Sequence, residues 1–251
     1  MIERKITKIS FGIAFLMVAA MWLVFFVDYN FQLDFYKYGL YPLKTSGLIG
    51  IFTSPFIHST HDYSHILNNS VPMFLLSWLL FYHYRTIAGK SFMFIYFFTG
   101  VSMWFLARDS YHIGMSGVIY GLTSFLVLSG FLRKNMKVAA ISLMVIFLYG
   151  SMVWGIFPTK VGVSWEAHSM GLLSGILMAI YYRKDGPQAP KLPYEVEEDL
   201  GLEPEEEYWK EGYQSPVENE PRIIINYTVV PTRPKVVNPP QISDAKEIEE
   251  E

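Results

Sequence analysis

Six apolar runs of about 17–20 residues follow one another in this 251-residue chain, near 9–27, 66–82, 91–107, 113–132, 138–157 and 164–182. A helix rises about 1.5 Å per residue, so each run is close to the length needed to cross a hydrocarbon core roughly 30 Å thick. The pattern predicts an all-α membrane protein with six transmembrane helices. The second and sixth runs carry polar groups near one end, so hydropathy alone supports them least.

Charge divides the chain into two materials. Residues 1–184 hold 14 Lys/Arg against 6 Asp/Glu, whereas 185–251 hold 6 against 17. The reading is a membrane domain over 1–184 and an acidic, proline-containing tail over 185–251. That tail is expected to be largely disordered, with a glutamate-rich stretch from Glu195 to Glu211 and one short β-like run, Ile223 to Val230. Nothing in the chain points to a nucleic-acid partner.

With the N-terminus inside, ten basic residues (Arg4, Lys5, Lys8, Arg85, Lys90, Arg133, Lys134, Lys137, Arg183, Lys184) share one face. The other face holds only Lys37, Lys44, Arg108 and Lys160. Basic loops stay in the cytoplasm, so both termini are expected there, and a prokaryotic plasma membrane is the expected location. The first run follows Arg4, Lys5 and Lys8 as a signal peptide would. It lacks a small-residue cleavage site and reads as a retained helix. The loop from Asp28 to Phe56 is rich in aromatics and is expected to lie half embedded in the headgroup layer. The absence of cysteine excludes disulfides and thiolate chemistry.

Polar residues at membrane depth are costly and are therefore paired or used. Ser116 stands 17 residues before Arg133, His168 stands 15 before Arg183, and Asn69 stands 16 before Arg85. Counted back from those basic anchors, the three sit about 25, 22 and 24 Å up, in one layer. His65 lies one turn above Asn69 on the same helix face.

A serine hydroxyl attacks only when a base takes its proton, and histidine suits that task. Ser116 and His168 thus read as nucleophile and base. An oxyanion would need donors already aimed at it, and the backbone N–H of Ser116 with the side chains of His65 and Asn69 are candidates. Gly117 and Gly121, and Gly171 and Gly175, form two G-x-x-x-G pairs that allow close helix approach. Tyr120 lies one turn below Ser116 and is placed to pack on the imidazole. Glu166 falls on another face from His168, so a Ser-His dyad is expected rather than a triad.

These residues resemble the rhomboid family of intramembrane serine proteases over roughly Gly50 to Tyr182. Thr53-Ser54-Pro55-Phe56-Ile57-His58 is similar to the family's segment before its second helix. His65-Ile66-Leu67-Asn68-Asn69 resembles its H-x-x-x-N. Gly114-Met115-Ser116-Gly117, followed by Tyr120, resembles its G-x-S-G. Ala167-His168-Ser169-Met170-Gly171 through Gly175 resembles its A-H-x-x-G-x-x-x-G. Against the family's pattern, an extra His61-Asp62 lengthens the segment between His58 and His65.

The resemblance implies a six-helix bundle with a wet cavity opening outward. It also implies Ser116 as nucleophile, His168 as base, and His65, Asn69 and the Ser116 amide as oxyanion hole. Substrates would be membrane proteins cut at transmembrane segments, with no cofactor and no metal. Two other readings fit parts of the pattern: an inactive rhomboid-like protein that binds membrane clients, and a metal-binding membrane protein built on His58, His61 and His65.

Overall fold

The computed structural model describes residues 2–159, 162–192, 195–196 and 199–201. The proposed disorder of the tail, its glutamate-rich stretch for the most part, and the run Ile223 to Val230 lie outside the described residues. The chain divides into two compact units, Met1–Leu192 and Pro193–Glu251.

The first unit is a helical bundle. Its long helices are α1 (Ile2–Phe31), α2 (Tyr63–His83), α3 (Ala88–Leu106), α4 (Ser116–Leu132), α5 (Met136–Tyr149) and α6 (Trp165–Tyr181). Among the described residues there is no β-strand, only an isolated antiparallel bridge between Leu40 and His112. The class is therefore all-α, as the apolar runs predict.

Local chemistry sets the helix starts. Asp62 caps α2 by accepting from the Ser64 amide at 2.8 Å. The Ser64 hydroxyl also donates to that carboxylate, and the two bonds hold Asp62 below the usual carboxylate range. Asn135 caps α5 through Lys137 and Val138, and Ser164 caps α6 through Ala167.

Among the described residues, two helical stretches, Glu3–Phe31 and Met136–Ile156, are long and apolar enough by themselves to cross a membrane. The sequence pattern suggests six. α4 and α6 have only 17 residues each, and α2 and α3 dilute their apolar content with Asn68, Asn69, Ser70, Lys90 and Thr99. The outward surface is nonetheless apolar, with Leu16, Phe105, Phe131 and Phe147 all exposed. In water such a surface would be an aggregation liability; in lipid it is what a span presents.

The fifth run does not stay α-helical to its end. Beyond Tyr149 it tightens into a 3₁₀ segment, Gly150–Ile156. Two glycines within these seven residues weaken α propensity there. This tighter segment matters to the site.

α4 is the hub, packing against α2, α3, α5 and α6. Ten of its 17 residues are buried, which a peripheral helix could not achieve. Phe125, Leu122 and Ile119 join Leu76, Leu80, Tyr84 and Ile95 in the main core. At the far end from Ser116, buried Arg133 donates to the carbonyls of Tyr182, at 2.6 Å, and Asp185, at 3.0 Å. The ends of α4 and α6 are thereby tied, which fixes the register of the two helices that carry Ser116 and His168.

Candidate active site

Ser116 is the first residue of α4 and follows Gly114, whose φ is +105°. Glycine reaches that conformation at little cost. A Cβ there would also lie 2.7 Å from His65 Nε2, with Asn69 Nδ2 at 3.9 Å. Both side chains of α2 thus border the turn that presents Ser116. Asn69 Nδ2 donates one hydrogen to the His65 carbonyl at 2.8 Å, and an amide nitrogen carries a second.

The Ser116 hydroxyl stands 2.9 Å from His168 Nε2, across 52 residues of chain. His168 Nδ1 stands 2.8 Å from the Gly155 carbonyl oxygen. A carbonyl only accepts, so the ring proton belongs on Nδ1 and Nε2 keeps its lone pair. The tautomer is therefore the one able to accept the Ser116 proton. The Tyr120 ring lies flat on the imidazole, 4.1 Å between centroids and 7° between planes, and its hydroxyl donates to the Met152 carbonyl at 2.6 Å.

Both carbonyls come from the 3₁₀ segment after α5. One bracket therefore holds the imidazole at its edge and Tyr120 at its hydroxyl. A backbone carbonyl occupies the place where a triad would put a carboxylate.

Gly155 carries no sequence motif, and its role is invisible from spacing. The one available signal is its small size: a Cβ at Gly155 would overlap the Tyr120 hydroxyl and come within 3.1 Å of His168 Nδ1. Gly155→Ala is therefore expected to displace the imidazole. A shift near 1 Å costs reaction rates about 10²-fold, which single-turnover labelling of Ser116 measures.

The glycine pairs lie where α4 and α6 meet. A Cβ on Gly171 would overlap the Gly117 carbonyl oxygen, and one on Gly175 would overlap that of Gly121. Two backbones touch at two successive turns.

Glu166 is buried and does not bond the His168 imidazole, whose two nitrogens meet Gly155 and Ser116; one carboxylate oxygen lies 3.5 Å from Arg108 Nε. His58 is buried with its ring 5.0 Å from that of His65, and burial pushes its imidazole down to about 4. Its Nε2 has no hydrogen-bond partner among the described residues. Among those residues no three His, Asp or Glu side chains converge as a metal's donor set. A cavity of about 30 Å³ lies beside Gly117, lined in part by Ser54, Thr99, His112 and Ser164. Its lining is mostly apolar, with these polar side chains set into it, and it is large enough for a water molecule.

A family model described as Rhomboid domain matches residues 45–185. An uncharacterized protein of Mycobacterium tuberculosis (strain ATCC 25618 / H37Rv) is 32% identical over 177 residues, spanning 64% of this chain and 70% of its own length. An uncharacterized protein of Mycobacterium bovis has the same identity and coverage. One from Mycobacterium leprae (strain TN) is 30% identical over 193 residues, spanning 70% of this chain and 73% of the relative.

Proposed function

The chain belongs to the rhomboid family of membrane proteins, and from that premise we propose that it is an intramembrane serine endopeptidase cutting transmembrane segments of other membrane proteins. The observation that carries this reading is the 2.9 Å approach of Ser116 Oγ to an unprotonated His168 Nε2. Serine and histidine both being present speaks against the inactive, client-binding alternative.

In the proposed reaction Ser116 Oγ bonds to the scissile carbonyl carbon while its proton passes to His168 Nε2. The carbonyl oxygen becomes an oxyanion facing the Ser116 N–H and the side chains of His65 and Asn69. His168 then gives the proton to the departing amide nitrogen, and the carbon–nitrogen bond breaks. Water, deprotonated by the same imidazole, attacks the acyl-serine; the ester carbon–oxygen bond breaks, the imidazolium returns its proton to Ser116 Oγ, and the second product leaves. Throughout, the Gly155 carbonyl would stabilise the imidazolium from the Nδ1 side, and the Tyr120 ring would restrict its rotation.

The topology that goes with this reading has six spans and both termini in the cytoplasm of a prokaryotic plasma membrane. Residues 1–184 form the catalytic domain and 185–251 an appended acidic tail. The other four helices, α2, α3, α4 and α6, would cross as a packed group centred on α4, with Asn69, Ser70 and Thr99 buried inside it.

The test is fluorophosphonate labelling of the purified full-length protein in detergent. Wild type should label at Ser116, mapped by mass spectrometry, and Ser116→Ala should not. A folded wild-type protein that stays unlabelled would sink the protease reading and favour client binding. Asn69→Ala should still fold but cleave a transmembrane reporter about 10²–10³-fold more slowly, because one oxyanion donor is lost. Progress curves of cleavage in proteoliposomes read that loss.

A further inference from the structure

His112 lies in the loop between α3 and α4, four residues before Ser116, and is 5% exposed. By position it simply precedes a helix. By contacts it joins three parts of the molecule. Its backbone N–H and C=O both pair with Leu40 of the first loop, at 2.8 and 3.0 Å. Its Nε2 is 3.0 Å from the Arg108 carbonyl, and its Nδ1 is 2.8 Å from the Ser164 hydroxyl.

The partners fix the direction of every hydrogen. The Arg108 carbonyl only accepts, so Nε2 carries the ring proton and Nδ1 accepts from Ser164 O–H. That orientation leaves the Ser164 lone pairs for the Ala167 N–H, 3.4 Å away, which is the N-cap bond of α6. The Ser164 carbonyl accepts from the His168 N–H at 3.3 Å. A single directed chain therefore runs from Ala167, one residue from His168, through Ser164 and His112 to Arg108.

A second tie runs beside it. Arg108 Nη2 donates to the Val163 carbonyl at 2.7 Å, and its Nε faces Glu166. The loop before α4 and the start of α6 are thus fastened at two points. His112 is the buried one, so a lost partner leaves a polar group cut off from bulk solvent.

We propose that His112 is a positioning residue for the base. It orients the Ser164 hydroxyl, which seats the first turn of α6 so that His168 stays within reach of Ser116. The inference rests on the protease reading for its kinetic consequence, but its structural half does not.

Three substitutions separate the roles of the ring. His112→Phe keeps the shape and removes both bonds. His112→Asn puts an amide oxygen where Nδ1 meets Ser164. His112→Gln reaches toward Arg108 but not Ser164. In the full-length protein, Ser116 labelling should slow about 10–100-fold in His112→Phe and His112→Gln, as a misplaced base predicts, and recover to within a few-fold in His112→Asn. For a reporter substrate the loss should fall on kcat with KM unchanged.

His112→Phe combined with Ser164→Ala should be no slower than the slower single variant, since both cut one chain. If His112→Phe does not fold, the contrast between His112→Asn and His112→Gln decides. Should wild type itself fail to label, amide exchange of Ala167 and His168 still reads the inference: faster in His112→Phe, near wild type in His112→Asn. Wild-type labelling and exchange in folded His112→Phe, equal losses in the Asn and Phe variants, or additive effects with Ser164→Ala would overturn it.

Discussion

Alanine at Ser116 or at His168 should lower cleavage of a reporter bearing an unstable transmembrane helix by on the order of 10⁴–10⁶-fold. The two groups form one hydrogen-bonded unit, at 2.9 Å, so neither works without the other. Without the imidazole the hydroxyl keeps its proton and is a weak nucleophile. Without the hydroxyl the imidazole has only water to activate. The double variant should therefore be no slower than either single one, a non-additivity that distinguishes a catalytic pair from two structural residues. Both alanine variants should keep the wild-type unfolding midpoint to within a few degrees, because each lies at the site rather than in the main core. Initial rates in proteoliposomes, with unfolding followed in detergent, supply both readouts. Intact turnover by Ser116→Ala would contradict the assignment outright.

Much of the architecture was legible because lipid-compatible helices are written in side chains. The apolar runs near 66–82, 91–107 and 164–182 match α2, α3 and α6 closely. The meeting of Ser116 and His168 was legible too, because glycines at 117, 121, 171 and 175 specify close helix contact and their register fixes what lies beside them. The bracket around the imidazole was not. It depends on the carbonyls of Met152 and Gly155, and every residue has a carbonyl, so no residue type encodes one. It also depends on the fifth run leaving α geometry at Gly150, a change that hydropathy does not register. His112 escaped for a related reason. Its meaning lies in which ring nitrogen holds the proton, and the partners Arg108 and Ser164 decide that.

Valine at Gly171 should cost stability by wedging the α4–α6 contact apart. A Cβ there would collide with the Gly117 carbonyl oxygen, and backbone cannot rotate out of the way as a side chain can. The helices must part, and they cannot part at one turn alone, because Gly175 sits equally close to Gly121 one turn on. Overpacking in a well-packed interior costs about 1–3 kcal/mol, and a β-branched side chain against backbone belongs at the upper end. Parting the helices also lengthens the gap between Ser116 and His168, so labelling should fall by about 10²-fold or more even in the fraction that stays folded. Controls come from the same chain. A Cβ at Gly12 or Gly89 meets nothing within 4 Å, so Gly12→Ala and Gly89→Ala should be neutral or slightly stabilising through helix propensity. Denaturant unfolding in detergent, with Ser116 labelling of the folded fraction, separates the two effects. A Gly171→Val protein with unchanged unfolding and labelling would mean that α4 and α6 do not meet at these glycines, and the geometry that brings hydroxyl and imidazole together would go with them.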